Sequence, residues 1–180
     1  MAAPTLASPL SERQKTLDFA QLVLAEQPGL LRLARRLVWD DEEAKDVLQQ
    51  ALTDAVEKVG TLEDRGAASA WLRRIVTHRA LSVLRRRKVW RTLAALVGVE
   101  PEPARQPDDD LERGRHRAKI AAAVERLSPK QQAAFSLRYL EGLSLDQVAD
   151  AMTMNRGTVR VHLQRAVSAL RRSGALEQST

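Results

Sequence analysis

Residues 127–172 read LSPKQQAAFSLRYLEGLSLDQVADAMTMNRGTVRVHLQRAVSALRR, and the helix-start signals in this stretch govern the reading of the whole chain. Ser128, Pro129 and Gln131 supply an N-cap, a first-turn proline and an N3 amide, which together make a capping box with a preset φ at its first helical residue. Gly142 follows Tyr139, Leu140 and Glu141, where a C′ glycine belongs. Ser144 and Gln147 repeat the box, and Asp146 places a negative charge in the positive first turn. Leu145, Val148, Ala149 and Met152 then recur at helical spacing. Thr153, Met154 and Asn155 leave room only for a tight turn, with Asn155 as the N-cap of the next helix. In that helix Val159, Leu163, Ala166, Val167 and Leu170 face one way. Arg156, Arg160, Gln164, Arg165, Arg171 and Arg172 lie on its other faces. Two helices joined by so short a turn, the second of them basic, predict a helix-turn-helix. A helical bundle whose basic face is merely solvated would have the same composition, so the rest of the chain has to separate the two.

Upstream, residues 111–127 resume a helical pattern through Ile120, Ala121, Val124 and Leu127. Residues 97–110, VGVEPEPARQPDDD, combine proline, glycine and acid and offer no apolar stripe, which predicts a flexible linker. From Ala70 to Arg91 there is no acidic residue. Trp71, Leu72, Ile75, Val76, Ala80, Leu81, Val83 and Leu84 are apolar there, and Arg73, Arg74, Arg79, Arg85, Arg86, Arg87, Lys88 and Arg91 carry the charge. Such a block repels itself, and neutralising phosphates through counterion release is its natural use. Residues 61–69 lack periodicity and predict a loop. Before it, Asp40 or Asp41 can cap a helix striped by Ala44, Val47, Leu48, Ala51, Leu52, Ala55 and Val56 and closed by Gly60. Its other side carries Glu42, Glu43, Lys45, Asp46, Gln49, Gln50 and Asp54. Leu17, Phe19, Ala20, Val23 and Leu24 predict a helix that ends at Gln27, Pro28 and Gly29; Leu30, Leu31, Leu33, Ala34, Leu37 and Val38 predict another. The first residues, with Pro4, Ser8, Pro9 and Ser11, read as a disordered lead-in.

Bulk properties narrow the function classes. The 180 residues carry a net charge of +6 and a sequence pI near 10.3, which favours polyanionic partners. Cysteine is absent, so disulfides and thiolate metal sites are excluded. No run reaches the length of a membrane span, and no secretion signal opens the chain, so a cytoplasmic location without membrane insertion is expected. His78, His116 and His162 do not form a metal-spaced cluster, there is no glycine-rich phosphate cradle, and the carboxylates do not pair. No enzyme activity and no cofactor are expected.

Three segments resemble the bacterial RNA polymerase sigma factors of the extracytoplasmic-function (ECF) group. LEGLSLDQVADAM, then NRGTVRVHLQRA and ALRR, resemble sigma region 4, with Gly157, Thr158, Val159, Arg160 and Leu163 the most specific part. The resemblance implies that this helix reads the −35 promoter element, with Asn155, Arg156, Thr158, Arg160, Gln164, Arg165, Arg171 and Arg172 as DNA-binding residues. Arg156, Arg160 and Gln164 are expected at base edges and Arg165, Arg171 and Arg172 at phosphates. EEAKDVLQQ resembles the part of region 2 that docks on the clamp of the largest polymerase subunit, which points to Glu43, Asp46, Gln49 and Gln50. AWLRRIVTHRALSVLRRR is similar to the region 2 stretch that captures the melted −10 element, and implies contacts from Arg73, Arg74, His78, Arg79, Arg85 and Arg86. Five residues depart from the pattern. Lys45 stands where an acid is usual, Ala51 for an aromatic, His78 for asparagine, Ser82 for aspartate and Thr153 for the turn glycine. If position 153 needs φ > 0, a β-branched residue there is strained.

The expected fold is therefore all-α, with two small helical domains joined by a flexible linker. A lead-in (1–15) precedes a region 2-like domain (16–95), a linker (96–112) and a region 4-like helix-turn-helix domain (113–175). The resemblance covers roughly Phe19 to Arg91 and Arg117 to Arg172. It implies core RNA polymerase, promoter DNA and an anti-sigma factor as partners. A stand-alone helix-turn-helix regulator and a sigma-like decoy that does not initiate remain as alternatives.

Overall fold

The computed structural model describes residues 9–62, 64–98 and 119–175, and those residues contain no strand. Helices α1 (Pro9–Val38), α2 (Asp41–Lys58) and α3 (Ala68–Val97) make the first bundle. Helices α4 (119–125), α5 (Pro129–Phe135), α6 (Leu145–Met152) and α7 (Arg156–Arg172) make the second.

Helix α1 departs from the sequence expectation in two ways. It begins at Pro9, inside the stretch read as a disordered lead-in, and it runs unbroken through Pro28 where two helices were expected. An interior proline removes one hydrogen bond and costs about 3 kcal/mol or more. Positions 23, 30, 34 and 37 nevertheless share one helical face across the proline. Leu30, Leu33, Ala34 and Leu37 are buried, and Phe19, Leu22 and Val23 pack on the same core. Burying each large apolar side chain contributes about 1.5–3 kcal/mol, so the combined stripe outweighs the local cost. Leu24 falls off the stripe and is 66% exposed.

Asp40 is the cap of α2, its Oδ1 accepting from Glu43 N at 2.8 Å. The expected stripe of α2 is buried or half-buried except for Val56, which is exposed. The helix ends at Lys58, and a 3-10 turn (Val59–Thr61) carries Gly60. A second short turn (Arg65–Ala67) leads into α3, which starts at Ala68 rather than Trp71 and persists to Val97. The first residues assigned to the linker, 96 and 97, are thus helical. Gly98 ends the helix in the left-handed region, at φ 73°, and linker positions 99–112 lie outside the described residues, as do 113–118 of the expected helix before α5.

The second bundle follows its punctuation closely. Both capping boxes are closed: Gln131 N donates to Ser128 Oγ and Ser128 N to Gln131 Oε1, and the same reciprocal pair joins Ser144 with Gln147. Helix α5 widens into a π turn (Ser136–Leu140) before Gly142, whose φ is 71°. Thr153 takes φ 51°, the left-handed conformation that glycine would adopt without strain. Met154 N then donates to Ala149 O at 2.8 Å, the long-range bond of a Schellman ending.

The two bundles are packed against each other. One apolar cluster runs from Leu37, Leu72 and Val76 into Leu137, Val148, Met152 and Val159. A second, around Val124, Leu127, Phe135, Ala166 and Leu170, receives Trp39 from the α1–α2 turn. Buried Gln132 reaches across to donate to Leu37 O at 3.0 Å. Arg36 binds both Leu140 O and Glu141, and Arg91 donates to Glu125 O and Oε2.

Candidate nucleic-acid interface

Helix α7 is anchored by Val159, Leu163, Ala166 and Leu170, all buried. The 3.6-residue repeat that points these inward turns Arg156, Arg160 and Gln164 outward, four residues apart, and all three are exposed. Arg165, Arg171 and Arg172 are exposed on neighbouring faces, and Thr158 is half-buried. Asn155 spends its side-chain oxygen on capping, accepting from Thr158 N at 2.8 Å. Arg156 is braced from the preceding helix, its Nε 3.0 Å from Asp146 Oδ1. Both partners of this pair are exposed, so it contributes at most about 1 kcal/mol and leaves the guanidinium free to exchange Asp146 for a stronger acceptor.

The α3 residues do not form one open row. Arg79 makes a forked ion pair with Asp54 of α2, with Nε 2.5 Å from Oδ2. That hydrogen bond holds the Asp54 carboxyl below its ordinary range and raises the Arg79 guanidinium further. Arg74 pairs with Asp150 of α6, and His78 Nε2 shares a 2.9 Å hydrogen bond with Thr153 Oγ1. Partial desolvation, followed by the charges of Arg74, Arg85 and Lys58, pushes the His78 imidazole below its usual value, although one edge stays exposed. Arg85 and Arg86 are exposed, with Arg85 Nε donating to Leu81 O, and Arg73 is half-buried.

On α2, Asp46, Gln49 and Gln50 are exposed on one side. Glu43 is placed differently, pairing with Arg87 of α3 while its own amide is held by Asp40. Lys45 pairs with Glu42 one turn back, which raises its ammonium pKa.

Sequence reasoning missed the residues that tie the bundles together: Arg36, Trp39, Glu125, Gln132 and Asp150. Only Trp39 carried a signal, as a large aromatic with no place in either stripe. No metal-holding cluster of His, Asp or Glu occurs among the described residues, and no described helix is long and apolar enough to cross a membrane.

Comparison with known proteins agrees with this geometry. The family model for Sigma-70 region 2 matches residues 22–89, and that for Sigma-70 region 4 matches residues 117–170. The chain is 36% identical over 157 residues to the RNA polymerase sigma-E factor of Streptomyces coelicolor, covering 87% of this chain and 86% of that protein. It is 33% identical over 154 residues to the ECF RNA polymerase sigma factor SigM of Mycobacterium tuberculosis, covering 86% of this chain and 76% of the relative. Among solved structures, the sigma factor RpoE of Bartonella quintana, co-crystallised with the anti-sigma factor NepR, superposes with a TM-score of 0.63. The identity is 26%, and the match covers 89% of this chain and 99% of that one.

Proposed function

The chain belongs to the ECF group of RNA polymerase sigma factors, and from that premise we propose that it directs core polymerase to promoters by reading DNA at two places. The observation that carries the reading is the face of α7, where Arg156, Arg160 and Gln164 stand outward in one line above a capped turn. Arginine can donate two hydrogen bonds to guanine O6 and N7, and glutamine can pair with adenine, so this face suits the major groove of a −35 element. Arg165, Arg171 and Arg172 lie where phosphates would flank it. In this reading Arg73, Arg74, His78, Arg79, Arg85 and Arg86 of α3 serve the melted −10 strand. The extrusion of an unpaired base costs a few kcal/mol, which such contacts would offset. The exposed Asp46, Gln49 and Gln50 side of α2 is the docking face for the polymerase clamp, and Glu43 supports it from the α3 side. Tethering by polymerase raises the effective concentration of both readers, so neither needs high affinity alone. An anti-sigma factor is the remaining partner in this reading, and a pull-down that recovers none would remove it.

Run-off transcription with purified core polymerase tests the proposal. A promoter-dependent transcript is the expected outcome. Polymerase binding without transcript would indicate a decoy instead, and duplex binding without polymerase binding a stand-alone regulator.

A further inference from the structure

The last turns of helix α3 present an apolar face to solvent. Val89, Trp90, Leu93, Leu96 and Val97 are between 49% and 78% exposed, and they are five of the ten exposed large hydrophobic residues among those described. They recur at i, i+1, i+4, i+7 and i+8, opposite the side on which Leu84 is buried and Arg87 and Arg91 reach Glu125. Val89, Leu93 and Leu96 keep the four-then-three spacing of a two-helix seam, with Trp90 and Val97 beside it. At ordinary residue areas the five offer roughly 600 Å² to water, the upper end of what a monomer leaves as one apolar patch. Charge is graded along this segment. Arg85, Arg86 and Lys88 are exposed where the stripe begins, whereas no charged residue occurs from Thr92 to Gly98. The last turn thus lacks the cation that would complement the negative end of the helix dipole.

We propose that this face is a self-association surface, covered by the same face of a second copy of the chain in antiparallel orientation. An antiparallel seam that sets Leu93 of one copy against Val89 of the other brings Arg85 and Arg86 beside Leu96 and Val97 of the second copy, where its helical carbonyls end. Two-fold symmetry makes this match twice, each basic end meeting a negative helix end. A parallel pair would instead set the arginines of both copies side by side. In the antiparallel pair the two Arg86 positions stand about 15 Å apart along the axis at the helical rise, beyond the screening length of about 8 Å at physiological salt. Covering both patches removes roughly 1,200 Å² from water, the lower bound of specific interfaces, which suits a reversible dimer rather than an obligate one. A helix seated in a lipid surface carries its cations along the flanks of the apolar stripe, and here they stop at Arg91. Pairing of this kind needs neither promoter nor polymerase, although it engages Arg85 and Arg86, which the promoter reading assigns to the melted strand.

Sedimentation equilibrium on the free, full-length chain tests the pairing. The expected result is a monomer–dimer equilibrium with a Kd on the order of 10 µM, as a small interface gives. L93D sets a charge in the middle of the seam and should raise that Kd at least about tenfold. V56D, at an exposed apolar position on α2, should leave it level. Both positions are exposed, and unchanged helicity by circular dichroism confirms that each variant is folded; L96D takes the place of L93D if that variant is not. The absence of cysteine lets one spin label be placed at exposed Ser82 as S82C. Labels in an antiparallel pair stand about 27 Å apart along the axis at the helical rise, whereas a parallel pair brings them within about 10 Å. A chain that remains monomeric well above the expected Kd overturns the proposal, as does a dimer that L93D leaves intact or that V56D weakens equally. The shorter label distance overturns the antiparallel arrangement. A monomeric chain that floats with anionic vesicles, and ceases to in L93D, gives the face to a lipid surface and overturns the pairing.

Discussion

Arg160 stands exposed near the middle of the outward line on α7, flanked by Arg156 and Gln164. Its replacement by alanine should cost about 1–3 kcal/mol on the preferred duplex and relax base preference at one position. Titration against a panel of single-base site variants measures this, and uniform weakening on every sequence would show a phosphate contact instead. Asn155 is expected to behave differently, because its side chain is committed to the helix. N155A should lower stability by about 1 kcal/mol, read from the urea midpoint, through loss of the cap on Thr158 N. N155D should restore stability, since aspartate caps equally well, yet weaken DNA binding by bringing a negative charge to the same surface. The two variants together separate a structural from a contacting role.

At the scale of elements, the parts that were legible are those governed by local chemistry. Ser128, Ser144 and Asn155 announce helix starts because an N-cap satisfies orphan amides within three residues, and all three caps are formed. The strain at Thr153 was legible for the same reason, being a property of one backbone position. Pro28 shows the limit: its local signal is a break, and only the burial of Leu30, Leu33 and Leu37 against α2 and α3 overrides it. Arg79 shows the limit for sites. Its charge alone gave no sign of a protein partner, while the structure pairs it with Asp54, 25 residues away, which no spacing rule identifies. The same holds for Glu43 and Arg87. Glycine at 142 is required by geometry rather than space, since a Cβ there would meet nothing within 4 Å while φ is +71°. G142A should therefore cost about 1–2 kcal/mol through backbone strain alone, again read from the urea midpoint.

For the molecule as a whole, two histidines make stability depend on pH. Burial, reinforced by Arg74, Arg85 and Lys58 around His78 and by Lys130 and Arg165 around His162, lowers both imidazoles from 6.5. The unfolded chain then binds more protons than the folded one just below that pH, so stability rises with pH through this window. The contribution is complete above about 6.5 and is lost as pH falls through the lowered folded values. An H78Q/H162Q variant should show a flatter Tm profile on the acid side of neutrality. Asp54 acts in a second, more acidic window: its carboxyl is lowered from 3.8 by Arg79, so its contribution holds above that value and fades below it, and D54N abolishes this part. The seam between bundles also has a built-in optical property. Trp39, held at φ 59° in the α1–α2 turn, lays its indole into the α4–α5–α7 cluster, whereas Trp90 is already in solvent and Trp71 packs edge-on with Phe19 inside the first bundle. Emission from a chain carrying W71F and W90F comes from Trp39 alone. Its wavelength should move to the red when the bundles part, so separation can be followed in real time during encounters with polymerase, without any attached dye.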